Sequence, residues 1–270
     1  MKIITVYQDF KEFRNTIKSI SFVPTMGNLH KGHMALIDKA KSYDDHVSAS
    51  IFINPLQFND ASDFNNYPKS LDDDIALLSK HGCDSLFIPD SSILENIKEI
   101  NAPDTALYLC GMNRPGHFDG VLTIVNKLFE ITKPTRSFFG KKDFQQLTLI
   151  NNFVKENNLP IEIISVDTVR EPSGLAMSSR NNRLSESDRE NASKLYNTLS
   201  SLKDNLNNLS LEMINSHKDE LTKQGFDVDY LKVCNPMTLK DLEDFNSRPI
   251  LVAIAASIGG IRLIDNVLID

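Results

Sequence analysis

The sequence contains few cysteines, and their spacing restricts the kinds of site that the protein can build. The 270 residues include three, Cys83, Cys110 and Cys234, which lie far apart. Because zinc sites and disulfide frameworks need cysteines at paired spacings, neither is indicated. Three scattered thiols are typical of a protein in a reducing cytoplasm.

Long apolar segments are also missing. The longest run, ILVAIAASIGGI over 250–261, is too short to cross a bilayer and predicts a buried strand followed by a turn. The opening residues MKIITVYQDF lack an apolar segment with a small-residue cleavage site, so we expect no signal peptide. We therefore expect a soluble, cytoplasmic protein without a membrane partner.

The charge balance shows no excess of basic residues. The formal net charge is -7 at pH 7, which does not favour nucleic acid as the main partner. With 41% hydrophobic residues, the chain can bury a full core, in one large domain or in two unequal ones.

The first two thirds of the chain alternate short apolar runs with helical patterns, which predicts an α/β fold with a parallel sheet. The clearest runs are SFVPT, HVSASIFIN, DSLFIPD, TRSFFG and IEIISVDTV. After about Arg170, two helices and three strands predict a small α+β unit. We therefore predict one domain over residues 1–170 and a smaller one over 171–270. Parallel sheets bind ligands beyond the carboxyl ends of their strands, so the loops after strands are the candidate sites.

Three of the predicted helices have definite bounds. One runs from about His33 to Ser42, and a second begins at Pro68 and ends just before Gly82. The segment SESDRENASKLYNTLSSLKDNL predicts one long amphipathic helix that starts with a capping box at Ser185.

The stretch VPTMGNLHKGHMALI places His30 and His33 three residues apart, behind a predicted strand. Gly27 and Gly32 allow the backbone to approach a ligand closely, and free N–H groups at a helix start suit phosphates. From the motif alone, a helix cap and a phosphate site are about equally favoured. A zinc site is less favoured because no further ligand follows at suitable spacing. The position after the first strand of an α/β sheet favours the nucleotide.

Polar residues also follow the strand HVSASIFIN. Asn54 and Gln57 can hydrogen-bond a small substrate through their neutral amides. Further on, Asp72, Asp73 and Asp74 have the oxygen ligands that Mg²⁺ prefers. Alternatively, the three aspartates form the first turn of a helix, where the helix dipole stabilises negative charge. The sequence favours this interpretation.

Two later loops carry cations. Arg114 in NRPGHFDG is a candidate anion contact, and Lys142 in FFGKKDFQQ can reach a phosphate from a helix start. Gln145 and Gln146 are adjacent in sequence, so on a helix their side chains point in different directions. We therefore expect only one of them to face the site. The loop is not a Walker loop, because the pattern G-x-x-x-x-G-K-[ST] is missing.

The last candidate loop, REPSGLAMSSRNNR, contains Ser178, Ser179 and Arg180 where the two predicted domains meet. Two hydroxyls and a guanidinium can hold a triphosphate and stabilise charge during its transfer. A Ser-Ser-Arg tripeptide is common, so this loop indicates a phosphate site only in combination with the others.

Taken together and in this order, the motifs resemble the pantoate–β-alanine ligase family. The resemblance extends from near the start of the chain to RLIDN near its end. It implies a Rossmann-like N-terminal domain, a smaller α+β C-terminal lid domain and a homodimer. The segments that carry it are PTMGNLHKGH, FINPLQF, YPKSLDDD, NRPGHFDGV, FFGKKDFQQLTLI and GLAMSSRN.

The resemblance implies a ligase of pantothenate and coenzyme A biosynthesis that uses ATP and Mg²⁺. The carboxylate of pantoate attacks the α-phosphate, which gives pantoyl adenylate and pyrophosphate. The amine of β-alanine then attacks the acyl carbon, which gives pantothenate and AMP. This chemistry needs positioning and charge neutralisation rather than a protein nucleophile, and the chain has no G-x-S-x-G elbow.

The resemblance also implies roles for individual residues. The catalytic residues are His30, His33, Lys142 and Arg180, with His33 as a proton donor or as an electrostatic stabiliser. Pantoate and β-alanine are held by Gln57, Gln146 and Asn54, and a metal is held by Asp73 and Asp74. The residues implied for the ATP site are Met26, Gly27, Asn28, Leu29, His30, Lys31, Gly32, His33, Gly140, Lys141, Lys142, Asp143, Val169, Met177, Ser178, Ser179 and Arg180.

Three positions depart from the usual family pattern. Lys141 stands where members often have Glu, so the nucleotide pocket is more basic here. Cys110 replaces the Glu of a Leu-Glu-Gly segment, and a carboxylate role does not carry over to it. Leu77 stands where some members have a polar residue on the metal side.

Two other classes of function are compatible with an isolated HxGH motif. One is a nucleotidyltransferase that acts on a phosphorylated substrate and needs no amine. The other is a nucleotide-binding regulatory protein without chemistry. An aminoacyl-tRNA synthetase is disfavoured because the sequence contains no basic anticodon-binding domain.

Overall fold

A six-stranded parallel sheet forms the first part of the molecule. The computed structural model describes residues 1–246 and 248–270. The strand order is β1-β4-β3-β2-β5-β6, and every neighbouring pair is parallel. This arrangement confirms the predicted α/β class. The strands are β1 (Lys2–Ile4), β2 (Ile20–Thr25), β3 (His46–Ile51), β4 (Ser85–Phe87), β5 (Arg136–Gly140) and β6 (Glu162–Val166).

Helices cover both faces of this sheet, as the alternation of apolar runs and helical patterns predicts. The helices are α1 (Tyr7–Arg14), α2 (Lys31–Lys41), α3 (Ala61–Asn65), α4 (Leu71–Lys80), α5 (His117–Thr132) and α6 (Phe144–Glu156). α2 packs on one face with Val23, Ala49 and Phe138. α5 packs on the other face with Phe22 and Phe139 and is buried along most of its length.

A three-stranded antiparallel sheet and three helices form the C-terminal part. The helices are α7 (Glu186–Ala192), α8 (Lys194–Asp204) and α9 (Leu211–Lys223), and the strands are β7 (Asp227–Cys234), β8 (Ile250–Ile258) and β9 (Ile261–Ile269). The sheet order is β7-β8-β9. The predicted α+β character of this part is confirmed, whereas the boundary between 170 and 171 stays a prediction.

The central strand β8 explains the longest apolar run in the sequence. Successive side chains of a strand point to opposite faces of its sheet. Ile250, Val252 and Ile254 pack with the C-terminal helices, whereas Leu251 and Ala253 pack into the core of the first sheet. Because both faces of β8 are covered, neither face needs polar residues.

Several predicted element bounds were wrong. The helix that was expected at Pro68 begins at Leu71, after Ser70. The long helix expected from Ser185 is two helices, which meet at Ser193. Ser185 does cap α7 by accepting the N–H of Asp188. In the described part of the chain, no helix is long and apolar enough to cross a membrane.

The strand order places a topological switch at the centre of the first sheet. From β2 the chain continues through β3 and β4 on one side, and it returns to β5 on the other side. The loops after β2 and β5 therefore diverge and leave a crevice at the carboxyl ends of these strands. The HxGH loop follows β2, and the FFGKKD loop follows β5.

Candidate active site

The crevice contains a cavity of about 260 Å³. Most of the residues predicted for the ATP and substrate sites line it. They are Met26, His30, Gly32, His33, Asn54, Gln57, Gly140, Lys142, Asp143, Gln146, Val169, Met177, Ser178, Ser179 and Arg180. Four separate loops supply these residues, so the fold brings together side chains that are up to about 150 positions apart in sequence.

The two histidines form the N-terminal cap of α2. The His30 backbone is extended, and its Nδ1 accepts the N–H of Gly32 at 3.1 Å. The Nδ1 of His33 accepts the N–H of His30 at 3.2 Å. This arrangement has the reciprocal form of a capping box, with imidazoles in place of the usual hydroxyl and carboxylate. The helix-cap and ligand-site interpretations of the motif are therefore compatible.

Gly32 leaves the space that the His30 ring occupies. A Cβ at position 32 would lie 2.8 Å from Cε1 and 2.9 Å from Nδ1 of that ring. The rings of His30 and His33 pack at 4.1 Å between centroids. The glycine of the motif is therefore required by the position of the His30 side chain rather than by an unusual backbone angle.

Both imidazoles are neutral near pH 7. Burial, reinforced by the charge of Lys142, lowers the pKa of His30 to about 4. Burial lowers the pKa of His33 to about 3, with smaller effects of His30 and Lys142. Since each Nδ1 accepts a hydrogen bond, each neutral ring carries its proton on Nε2. Two uncharged Nε2–H donors are thus available to an anion in the cavity.

Asp74 supports the loop that precedes these histidines. It is 2% exposed, and its two carboxylate oxygens accept the N–H groups of Asn28 and Leu29, each at 2.8 Å. The Ser70 hydroxyl donates to the same carboxylate at 3.2 Å. A Cβ on Gly27, whose φ is +81°, would meet this carboxylate at 3.0 Å. The carboxylate therefore fixes the backbone that leads from β2 to His30.

These contacts do not fit the predicted metal site. Both oxygens of Asp74 are occupied by hydrogen-bond donors, and Asp73 is exposed on the first turn of α4. Within residues 1–246 and 248–270, no three His, Cys, Asp or Glu side chains cluster in a way that could hold a metal. The helix-start interpretation of the acidic run agrees with the position of all three aspartates.

A pair of amides from the loop after β3 also lines the cavity. Asn54 is 1% exposed, and its Nδ2 donates to Oε1 of Gln57 and to the carbonyl of Gly120, both at 3.0 Å. Its Oδ1 accepts the N–H of Leu56. Because the Gln57 oxygen is held by Asn54, the Gln57 amide NH₂ is the group left for a ligand.

Only one of the two consecutive glutamines lines this cavity. Gln146 does so, whereas Gln145 is buried. The Gln145 amide accepts the N–H of Cys110 at 3.0 Å and donates to the carbonyl of Tyr108 at 2.7 Å. Gln145 therefore holds the segment before Arg114 in place.

Lys142 and Lys141 have different surroundings. Lys142 lines the cavity, where its nearest carboxylate is Asp143 at 3.7 Å. Lys141 is not among the lining residues, and it forms an ion pair with Asp167 at 2.6 Å. From the C-terminal sheet, the Asn266 amide donates to the carbonyls of Lys141 and Lys142 at 3.0 and 2.8 Å. The second sheet thus fixes the loop that carries Lys142.

The Ser178–Arg180 loop closes the cavity from the side of the second sheet. The Ser178 hydroxyl accepts the N–H of Arg180, and the Ser179 hydroxyl donates to the carbonyl of Asn28 at 3.0 Å. Asp63 on α3 binds Arg180 at 2.9 Å and Arg183 at 3.1 Å. The loop over residues 178–180 is therefore tied both to the HxGH loop and to α3.

Some residues predicted for the ATP site do not line the cavity. Gly27, Asn28 and Leu29 form the loop that Asp74 holds. Lys31 is exposed at the start of α2, and Lys141 is paired with Asp167. Met26, His30 and Lys142, which are adjacent in sequence to these residues, do line the cavity. Motif membership alone therefore does not decide which residues face the cavity.

The positions that depart from the family pattern also have definite surroundings. The Cys110 sulfur lies 3.1 Å from the Tyr230 hydroxyl and 3.7 Å from Nη2 of Arg262. Cys110 therefore contacts the C-terminal sheet. Leu77 packs against the apolar core beside α2.

Sequence reasoning missed Asp63 and His117. His117 is 7% exposed, and its Nδ1 lies 2.7 Å from the carbonyl of Gln57. It stands inside the motif NRPGHFDG, so its place beside Arg114 was a signal that could have identified it. Asp63 had no such signal, because its two arginine partners are 117 and 120 positions away.

Comparison with known proteins identifies relatives over the whole chain. A family profile described as pantoate-beta-alanine ligase matches residues 2–268. The pantothenate synthetase of Acinetobacter baylyi is 44% identical over 259 residues, which cover 94% of this chain and 92% of that protein. That of Thermosipho africanus is 39% identical, with 100% of both proteins covered.

Solved structures agree with these matches. The crystal structure of pantothenate synthetase from Thermus thermophilus has a TM-score of 0.92 at 36% identity and covers 100% of this chain and 99% of its own. The pantoate-beta-alanine ligase of Francisella tularensis, solved with "Beta-gamma ATP" and β-alanine, has a TM-score of 0.84 at 38% identity, covering 99% and 97%. The present chain therefore belongs to the pantoate–β-alanine ligase family.

Proposed function

We propose that this ligase joins pantoate to β-alanine through a pantoyl-adenylate intermediate, with ATP as the source of energy. The observation that carries the proposal is the pairing of two neutral histidine donors with Lys142 and Arg180 across one cavity. These groups can stabilise a phosphate undergoing substitution without forming a covalent bond to it. The complex of the Francisella tularensis relative supports ATP and β-alanine as ligands of this site.

In the first step, a carboxylate oxygen of pantoate attacks the α-phosphorus of ATP. The bond from this phosphorus to the oxygen that bridges to the β-phosphate breaks, and pyrophosphate leaves. His30 and His33 donate their Nε2–H groups to phosphate oxygens as charge develops there. Since both rings are neutral, they act as hydrogen-bond donors that the α2 cap holds in position.

The remaining phosphate contacts come from the loops after β5 and β6. Lys142, whose nearest carboxylate among the described residues is Asp143 at 3.7 Å, supplies a mobile positive charge. Ser178, Ser179 and Arg180 bind the β- and γ-phosphates. Gly140, Asp143, Val169 and Met177 line the rest of the nucleotide pocket.

Pantoate occupies the side of the cavity between β3 and α5. The amides of Gln57 and Gln146 bind its carboxylate and hydroxyl groups, and Asn54 orients Gln57. The apolar wall of the same cavity includes Val121, Ile124 and Val125 of α5. This wall suits the two methyl groups of pantoate, which cannot form hydrogen bonds.

In the second step, the amine of β-alanine attacks the acyl carbon of the adenylate. A carbon–nitrogen bond forms, the bond from the acyl carbon to the phosphate oxygen breaks, and AMP leaves as the nitrogen loses a proton. We assign magnesium to the nucleotide substrate, as MgATP, because the oxygens of Asp74 are occupied. The homodimer and the cytoplasmic location stay predictions.

Two measurements on the purified protein test this function. Exchange of label between pyrophosphate and ATP should require pantoate and should proceed without β-alanine. Net formation of AMP at a steady rate should require β-alanine as well. A folded sample that shows no pantoate-dependent exchange would contradict the proposal. Exchange with a phosphorylated substrate instead of pantoate would favour another nucleotidyltransferase.

A further inference from the structure

Arg114 lies where three cavities adjoin. It lines the 260 Å³ cavity, a cavity of about 320 Å³ between the two sheets, and a small one of about 60 Å³ beside Cys110. Lys142 and Asp143 also line all three. A ligand that enters between the sheets would therefore meet Arg114 before it reaches Gln57.

The guanidinium of Arg114 has only neutral partners in the described part of the chain. Nη1 donates to Nε2 of His117 at 3.1 Å, and Nη2 donates to the carbonyl of Gln57 at 3.2 Å. The other arginines of the cavity between the sheets each have a carboxylate: Arg180 and Arg183 share Asp63, and Arg262 binds Asp229. Within the described residues, Arg114 is thus a half-buried cation that forms no ion pair, and the Asp63 carboxylate that acts on it is bound by Arg180 and Arg183.

His117 makes Arg114 rigid. Burial, reinforced by the Arg114 charge, lowers the pKa of His117 to about 4, so the ring is neutral. Its Nδ1–H donates to the Gln57 carbonyl at 2.7 Å, and its Nε2 is therefore an acceptor for Arg114. Two of the five N–H groups of Arg114 are used in this way, and the others are available to a ligand.

A half-buried guanidinium without a carboxylate favours a ligand that brings one. Burial and the charges of Arg180 and Arg262 lower the pKa of Arg114, against the opposing effects of Cys110 and Asp63. The main chain of Gln57 holds both Arg114 and His117, and the side chain of Gln57 is the proposed pantoate contact. The anion bound by Arg114 would therefore lie beside the acyl group rather than beyond the histidines.

We propose that Arg114 binds the carboxylate of the amine substrate and so selects a β-amino acid over a simple amine. This inference rests on the proposed function. Arg114 would hold the carboxylate with the free N–H groups of its guanidinium while the amine at the other end of the substrate reaches the acyl carbon. A guanidinium and a carboxylate match in geometry and charge.

The test separates the two half-reactions in Arg114→Met and Arg114→Lys. Pantoate-dependent exchange between pyrophosphate and ATP, measured without β-alanine, should stay within about threefold of the parent protein. The KM for β-alanine should rise by about tenfold or more in Arg114→Met, because a charged hydrogen-bond partner is lost. Arg114→Lys should recover part of this loss, since it keeps the charge.

Propylamine, which matches β-alanine in length but has no carboxylate, supplies a second readout. The parent protein should strongly prefer β-alanine, and Arg114→Met should lose most of that preference. Arg183→Met removes a carboxylate-paired arginine from the same cavity and should leave the KM for β-alanine within about twofold. Thermal unfolding of each variant shows whether it is folded.

Two results would overturn the inference. An unchanged KM for β-alanine in a folded Arg114→Met would show that Arg114 does not bind this carboxylate. If the exchange rate of Arg114→Met fell by as large a factor as its KM for β-alanine rose, Arg114 would instead bind the phosphates of ATP. Absence of exchange in the parent protein would contradict the proposed function itself, so the two failures are distinguishable.

Discussion

The Nδ1 atom of His33 accepts a hydrogen bond from the backbone N–H of His30 at 3.2 Å. This bond fixes the tautomer of His33, because a ring nitrogen that accepts cannot carry the proton. The Nε2–H of His33 is thereby set as a donor before any ligand binds. The same contact caps α2, so the orientation of the proposed donor and local stability depend on one hydrogen bond.

Replacing His33 by alanine should reduce adenylate formation by about 10² or more, the range found when one electrostatic donor is removed. Pantoate-dependent exchange between pyrophosphate and ATP measures this step. His81→Ala provides a control, because His81 lies apart from the cavity and pairs with Asp38 at 2.9 Å. Near-normal exchange in His33→Ala would refute the role assigned to this ring.

Replacing Gly32 by alanine should separate activity from stability. The new Cβ would lie 2.8 Å from Cε1 of His30, so the ring must move. Displacement of a catalytic group by about 1 Å can cost 10²-fold in rate. Alanine is also the better helix former by about 1 kcal/mol, which offsets the loss of about 1 kcal/mol when the His30 ring no longer caps α2, so the melting temperature should change little. Full activity at an unchanged melting temperature would mean that the position of the His30 ring is not critical.

The general fold and the position of the site could be predicted because they depend on local patterns. The apolar runs predict the central strands, and the order of strands and helices predicts a parallel sheet with its site at the carboxyl ends. His30, Gln57 and Lys142 follow predicted strands, and Arg180 lies at the predicted junction of the two domains, so a shared site could be inferred for them; all four line the cavity.

Contacts between distant residues could not be predicted in this way. Asp74 looks like a metal ligand in the sequence, but its partners are backbone N–H groups 45 and 46 positions earlier. Asp63 holds two arginines that are more than 100 positions later. The break at Ser193 was missed because α7 and α8 continue the same amphipathic pattern.

The buried histidines should make the folded state sensitive to acid. The pKa values of His30, His33 and His117 are about 4, 3 and 4, below the value of about 6.5 for an exposed histidine. Between pH 5 and 6, the unfolded chain therefore binds more protons than the folded chain, so the free energy of unfolding falls as the pH falls. Each histidine contributes a slope of up to about 1.4 kcal/mol per pH unit.

Urea unfolding at pH 5.0, 5.5 and 6.0 measures this slope. His117→Asn should lower it by up to the contribution of one proton. The comparison uses the slope, so a general loss of stability in His117→Asn does not interfere. An identical slope in His117→Asn and the parent protein would show that His117 is not held neutral.

Replacing Gln57 by alanine should weaken pantoate binding more than ATP binding. The Gln57 oxygen is held by Asn54 at 3.0 Å, so the lost group is the amide NH₂ that faces the ligand. Loss of such a contact raises the KM for pantoate by about tenfold, on the scale of 1–2 kcal/mol for a buried hydrogen bond. The exchange reaction gives both KM values. Gln224→Ala, at an exposed helix end, is the control. Equal increases in the KM for pantoate and the KM for ATP would argue against the assignment.

Replacing Asp74 by asparagine should slow adenylate formation without changing its dependence on Mg²⁺. An asparagine side chain has one acceptor oxygen for two backbone N–H donors, so either Asn28 or Leu29 loses its partner and the loop before His30 shifts. Asp73→Asn is the matched control, because Asp73 is exposed on the same helical turn. We expect near-normal rates in that control. If the two variants instead raise the Mg²⁺ concentration needed for half-maximal activity to the same extent, the acidic run binds the metal and the positioning role is wrong.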